Sequence, residues 1–184
     1  HIYNIKDIDF SKIKLENPKK TNNVYYSNII YNDNPLIVKV DDLKVLNDLS
    51  DISNKTTPSI EFEILNMDLY DFLIEIDEYN INETFNNEQD WFIDTDGNPK
   101  NIPKEMIDDM YKRLTKPLKL NQQPTIRFKL PVKSNTILCK CYGDNNDIIS
   151  IDSIKENTNV SCIINIRGLK FLKQHFICDC YISQ

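Results

Sequence analysis

Cysteine, carboxylate and histidine are the residue types that could carry chemistry in this chain, and their spacing decides how much. Cys139 and Cys141 form one Cys-x-Cys pair, and Cys178 and Cys180 another. Together they could supply zinc ligands, but the spacing is not that of the usual knuckles. In a strand, residues i and i+2 share a face, so each pair reads instead as two small apolar side chains packing into one core. Asp94, Asp96 and Asn98 suggest a calcium loop. Gly97, however, stands in the fourth place where an EF-hand needs glycine in the sixth, so a capped surface turn is expected. For nucleophilic catalysis the chain offers His1 and His175, and a lone His175 is a poor general base. Three glycines make no phosphate cradle. Acidic residues are abundant but lack a matched base or metal motif. The expectation is a protein that is not an enzyme and needs no cofactor or metal; a nuclease or other hydrolase would have to show metal-dependent turnover.

Basic and aromatic residues interleave instead along the later part of the chain: Arg127, Phe128, Lys129, Lys133, Lys140, Tyr142, Arg167, Lys170, Phe171, Lys173 and Phe176. Single-stranded nucleic acid needs this combination, because bases stack on aromatic rings while Lys and Arg follow the phosphates without reading sequence. Alternation puts Arg127 and Lys129 on one strand face and Phe128 and Leu130 on the other, so Phe128 belongs with the core. The candidate phosphate contacts are Arg127, Lys129, Lys133, Lys140, Arg167, Lys170 and Lys173. The candidate stacking residues are Phe171, placed in a connection over residues 168–174, and Tyr142. Tyr25, Tyr26 and Tyr31 belong either to the site or to the core until register is known.

The net charge of −6 argues at first against a nucleic-acid partner. The distribution matters more. Residues 61–97 hold twelve acidic residues and no basic one, whereas residues 98–142 hold ten basic against three acidic. Such polarisation permits a basic groove on an acidic protein, and equally permits an acidic surface that captures a basic partner. No run is long and apolar enough for a membrane span, and the first residues lack a signal-peptide block, so no membrane partner and a cytosolic setting are expected. The odd count of five Cys, none before Cys139, suits reduced thiols better than a disulfide framework. Three glycosylation sequons and the abundance of Asn, Ile, Lys and Tyr are read as products of AT-rich codons.

At 184 residues the chain suits one domain. Residues 24–31 and 36–40 are β-branched and aromatic runs around an Asn-Asp-Asn-Pro turn, which predicts a hairpin. Asp41 or Asp42 is expected to cap a short helix through Leu49, with Leu43 and Leu46 on its apolar face, ending in a polar loop. Residues 60–65 alternate as a half-buried strand. Leu69, Phe72, Leu73, Ile76 and Tyr79 fall at helical spacing. A loop is expected over 80–103, then a helix capped near Asn101 with Met106, Ile107, Met110 and Leu114 as its stripe, stopped by Lys116 and Pro117. Strands follow at 125–131, 136–142, 148–151, 160–167 and 176–183, the spacing of a small barrel.

The ending SCIINIRGLKFLKQHFICDCYISQ resembles the OB-fold single-stranded-DNA-binding proteins of nucleocytoplasmic large DNA viruses. The resemblance rests on Ile166, Arg167, Gly168, Leu169, Lys170 and Phe171 as a late strand and Gly-hydrophobic-x-Phe turn, then on residues 176–182 as a final strand. Upstream, residues 124–137 look like a basic strand and 23–40 like an N-terminal hairpin. The resemblance implies an α+β, β-rich fold: an OB-like barrel with an N-terminal β-hairpin and two to three helices. Residues 1–184 would form a single domain, 125–184 giving most of the barrel strands and 66–117 a helical insertion, acidic then basic. It implies sequence-independent binding of single-stranded DNA, leaving RNA open, in viral genome replication, repair or recombination. The setting would be the host cytoplasm and viral factory, with packaging in the virion open. The acidic segment departs from that pattern and could bind replication proteins. The alternative is a non-catalytic protein-interaction or virion-associated domain that uses its acidic surface.

Overall fold

Asn32 and Asp33 both adopt left-handed backbone, with φ of 49° and 59°, the geometry of a tight two-residue hairpin turn. The chain has three glycines, and asparagine takes much of their part: Asn22, Asn23, Asn32, Asn121, Asn135, Asn146 and Asn157 all have positive φ. The asparagine abundance read above as codon bias therefore also serves the turns.

The computed structural model describes residues 1–47, 58–116 and 118–184. Short strands β1 (Tyr3–Asn4), β2 (Ile13–Leu15) and β3 (Lys19–Thr21) precede the hairpin of β4 (Val24–Tyr31) and β5 (Asn34–Val45), and β6 (Ser59–Ile64) follows. Helices α1 (Met67–Asn86), α2 (Glu88–Trp91) and α3 (Lys104–Met110) come next, then β7 (Tyr111–Lys112) and β8 (Thr125–Lys129). Two-residue strands β9 (Val132–Lys133), β10 (Thr136–Ile137), β11 (Cys141–Tyr142) and β12 (Ile148–Ile149) form two small hairpins. The long β13 (Asn159–Phe171) and β14 (Phe176–Ile182) end the chain. The fold is α+β and β-rich.

Five strands close on themselves. β5 pairs antiparallel with β6, β6 with β8, β14 with β13, and β13 again with β5, while β8 meets β14 in parallel. This is an OB-like barrel, with inward side chains such as Val38, Val40, Leu43, Phe62, Ile64, Phe128, Ile164, Ile166, Cys178 and Cys180. Three of its strands lie after residue 124 and two, β5 and β6, before the helices. The cysteines of β14 face this core, their Sγ atoms 3.8 Å apart.

The helix expected after Asp42 is not formed. Residues 41–45 continue β5, and Leu43 pairs with Ile64. Asp42 has φ 59°, and Asp41 and Asp42 bulge opposite Ser161 where the β5–β13 register shifts. Leu49, the polar loop after it and Pro117 lie outside the described residues. The expected loop from 80 is instead helix as far as Asn86. The apolar period fades there because Asp77, Asn80 and Thr84, all fully buried, occupy its inward positions. α3 stops at Met110 rather than near Leu114, and its start at Pro103 has no side-chain cap. Beyond it Tyr111 and Lys112 pair with Phe176 and Ile177, so sheet pairing overrides the helical spacing. Residues 136–142 form two separate short strands, not one.

Asp77 ties α1 to the segment after α3. Its carboxylate accepts from Tyr111 Oη at 2.7 Å, from Leu114 N at 3.0 Å and from Thr115 Oγ1 at 3.2 Å. Burial holds this carboxyl above its ordinary range although these donors pull the other way.

β13 changes partner at Gly168. Its residues up to Ile166 pair with β5, and from Gly168 onward with β4. Gly168 has φ 128°, and a Cβ there would lie 2.0 Å from Ser27 O. No side chain fits.

Gly168→Ala is expected to lower stability by about 3 kcal/mol or more, read by urea unfolding, because backbone must shift to admit the methyl group. Asp77→Ala should cost about 3 kcal/mol, since it strands buried donors. A carboxyl raised by folding stabilises most below the unfolded pKa and loses that contribution as pH rises through the folded one. The gap between wild type and Asp77→Ala should therefore be wider at pH 4 than at pH 7, measured by the same unfolding curves.

Candidate nucleic-acid interface

Alternation along the barrel strands sorts side chains into a packed inner face and an outer one. On β8 the outer residues are Arg127 and Lys129, on β14 Asp179 and Tyr181, on β13 Asn165, Arg167 and Lys170, and on β4 Tyr26 and Asn28. Register joins them: Tyr181 lies opposite Lys129 on one side and Asn165 on the other, Lys170 opposite Tyr26, and Tyr26 opposite Lys19 of β3.

The result is a stripe of alternating cations and rings across five strands. Lys129 Nζ lies 5.6 Å and the Arg167 guanidinium 5.3 Å from the centre of the Tyr181 ring. Lys170 Nζ lies 5.7 Å from that of Tyr26. Such cation–π contacts pre-position the charges at little cost in hydration. Arg167 sits at the bulge beside Gly168 and is exposed; the extra residue turns its side chain outward. Two grooves meet there. One of about 350 Å³ is lined by Lys19, Tyr26, Asn28, Arg167, Asp179 and Tyr181 among others. The other, of about 300 Å³, lies beside Glu16, Asn28, Asn34, Asn165 and Arg167.

The residues expected from sequence fall into three groups. Arg167 and Lys170 lie in the stripe, and neither has an acidic partner among the described residues. Arg127 and Lys129 share its face but are neutralised. Arg127 donates to Glu61 Oε2 at 2.6 Å and Lys129 to Asp179 Oδ1 at 2.5 Å. Burial alone would lower the Lys129 ammonium, but the hydrogen bond and charge of Asp179 outweigh it and hold it above its ordinary value. The hydrogen bond from Arg127 likewise holds the Glu61 carboxyl low. The third group stands apart. Lys133, Lys140 and Tyr142 are exposed on or beside the small hairpins, and Lys173 is in the turn before β14; none lines either groove.

Phe171 differs from its expected place. β13 runs through it, so the connection is only residues 172–175 and the Gly168–Phe171 stretch is strand, not turn. Its ring stacks on Phe176 at 5.2 Å and receives Trp91 and Phe92 edge-on at 6.0 Å each. Phe171 is thus part of an aromatic cluster between α2 and the sheet rather than an open platform. Tyr26 and Tyr181 take that role. Tyr26 was one of the tyrosines that only register could place, and Tyr181 was missed, although its outward position follows from counting by twos from the inward Cys178 and Cys180. Tyr31 is buried and gives its hydroxyl to Asp7 O at 3.3 Å, while Tyr25 is exposed on β4 opposite Phe171.

No family model matches the chain, and no curated protein matches it. Among solved structures it is similar to a C-terminal truncation of the single-stranded DNA-binding protein from bacteriophage Enc34, at 18% identity and a TM-score of 0.45, over 92% of this chain and 90% of that one. It is also similar to the Enc34 protein in complex with ssDNA, at 16% identity and a TM-score of 0.45, over 92% of each chain.

Removing Lys129 would leave Asp179, whose side chain is 5% exposed, without its cation. Lys129→Ala is expected to cost roughly 3 kcal/mol of stability, whereas Arg167→Ala, at an exposed site, should cost under about 0.5 kcal/mol. Thermal unfolding of both variants checks the contrast, and equal costs would contradict it.

Proposed function

We propose that this protein binds single-stranded DNA along the outer stripe of its barrel, without reading a defined sequence and without catalysing a reaction. The observation that carries the reading is the cross-strand row in which Lys129 and Arg167 flank Tyr181 and Lys170 flanks Tyr26. Arg167 and Lys170 are placed to follow phosphates, with Lys19 beside them at 4.0 Å from Glu16, and the two tyrosine rings to take bases, at about 1–3 kcal/mol per stacked base. Lys129 acts by holding Asp179 and orienting Tyr181. Such a strand-coating role fits viral genome replication, repair or recombination in the host cytoplasm, the setting that the sequence resemblance implies.

A second reading is a domain that captures a basic protein partner, such as a replication protein, on the outer face of α1. There Asp71 and Glu75 are exposed and pair with no cation among the described residues, whereas Asp68 pairs with Lys6 and Glu78 with Arg113.

Fluorescence anisotropy with labelled oligo-dT, across a salt series and against duplex competitor, tests the first reading. Arg167→Glu with Lys170→Glu should weaken binding at least about tenfold and flatten the salt slope by roughly 0.7 for each phosphate left without its cation. Asp71→Lys with Glu75→Lys should leave or improve DNA binding. No salt-sensitive binding by wild type at low salt would favour the second reading, and cleavage of labelled DNA with magnesium would overturn the non-catalytic one.

A further inference from the structure

The two grooves that meet at Arg167 differ in chemistry. The one across Tyr26 and Tyr181 is cationic and aromatic, whereas the one of about 300 Å³ is rich in hydrogen-bond acceptors. Glu16 stands at its rim, with Oε2 accepting from Asn28 Nδ2 at 2.7 Å and Oε1 4.0 Å from Lys19 Nζ. These contacts fix the carboxylate without using all its lone pairs. Because Asn28 gives its amino group to Glu16, its Oδ1 is left as an acceptor. Asn34 likewise gives Nδ2 to Asn32 O at 2.7 Å and keeps Oδ1 free. Asp33 adds a second carboxylate, and Asn165 an amide that makes no hydrogen bond among the described residues.

We infer that this groove receives a nucleobase edge and prefers bases bearing an exocyclic amino group, cytosine or adenine, over thymine or uracil. The inference rests on the single-strand reading above. A strand whose phosphates meet Arg167 places its neighbouring base over one groove or the other, since both are lined by that residue and by Asn28. Cytosine N4 and adenine N6 are donors that Glu16 and the free amide oxygens satisfy. The O4 of thymine or uracil would face carboxylate and carbonyl lone pairs instead, and would leave them desolvated and unpaired. The discrimination is partial, because Asn165 and the Arg167 guanidinium, which lines the same groove, can still donate to a carbonyl. Backbone contacts along the stripe then supply affinity for any strand, while the groove sets preference among strands.

The experiment compares oligo-dC with oligo-dU of equal length at fixed salt and pH 7.5. These bases differ in presenting N4 amino or O4, and in the N3 proton. Wild type should bind oligo-dC about tenfold more tightly; Glu16→Gln should bring the ratio toward one, whereas Asn165→Ala, which removes a donor that accommodates a carbonyl, should raise it. Equal affinities for the two oligonucleotides would overturn the inference while leaving strand binding intact, and so would a ratio unchanged in both variants. Failure of both oligonucleotides to bind would overturn the single-strand reading itself, and the wild-type ratio needs no variant to fold.

Discussion

A single strand, β13, must serve two neighbours on one side, and Gly168 is where it changes from one to the other. Below that point β13 closes the barrel against β5; above it β13 joins β4 and the outer hairpin. The backbones approach so closely that even a methyl group would overlap Ser27 O. The extra residue of the bulge, Arg167, cannot continue the ladder, and its side chain projects from the outer face between two grooves. One backbone constraint therefore closes the core and aims the central cation of the candidate interface.

The parallel seam between β8 and β14 is the other place where the barrel needs help. Only Tyr181 and Lys129 are paired along it, and parallel pairing is the weaker kind. Side chains supplement it: Lys129 reaches Asp179 and lies over Tyr181. A buried ion pair contributes little net energy but cannot lose one partner cheaply. The same lysine thus strengthens the seam and positions a ring on the outer surface, which is why its role is structural before it is electrostatic.

Much of this was legible in the sequence where two-residue alternation was clean. Residues 60–64 and 125–129 alternate, and they are strands with the expected faces, with Phe128 in the core beside Phe62; residues 24–31 form the expected hairpin strand, but only register sorts their tyrosines. Leu69 to Ile76 gave the helix for the same kind of reason. Legibility failed where tertiary contacts set the outcome. Asp77, Asn80 and Thr84 look like solvent residues, yet they face the interior and extend α1 through positions where apolar counting stops. Asp42 looks like a helix cap but takes left-handed backbone in a bulge that only the pairing of β5 with β13 requires. Phe171 had the right type for a stacking platform, and its neighbour across the sheet, Phe176, together with Trp91 and Phe92, covers it. Charge counting could not foresee which cations are spent in pairs, because Glu61 and Arg127 are 66 residues apart in sequence.

The pairing of cations with carboxylates also governs where a strand would lie. OB barrels commonly take oligonucleotides on the face of the second and third strands, which here are β6 and β8. On this face Glu61 pairs with Arg127 and Lys116, and Glu63 with Lys44. Its cations are bound to carboxylates, and a phosphate arriving there would have to displace them at the expense of leaving half-buried acids unpaired. Around the bulge the balance reverses: Arg167 and Lys170 contact rings rather than acids, so phosphate neutralises them without breaking an ion pair. An acidic protein can in this way keep a cationic track, provided its carboxylates are assigned to other partners by the fold. The track is displaced from β6 toward β13 and β4 because the acids occupy the former and the Gly168 bulge exposes the latter.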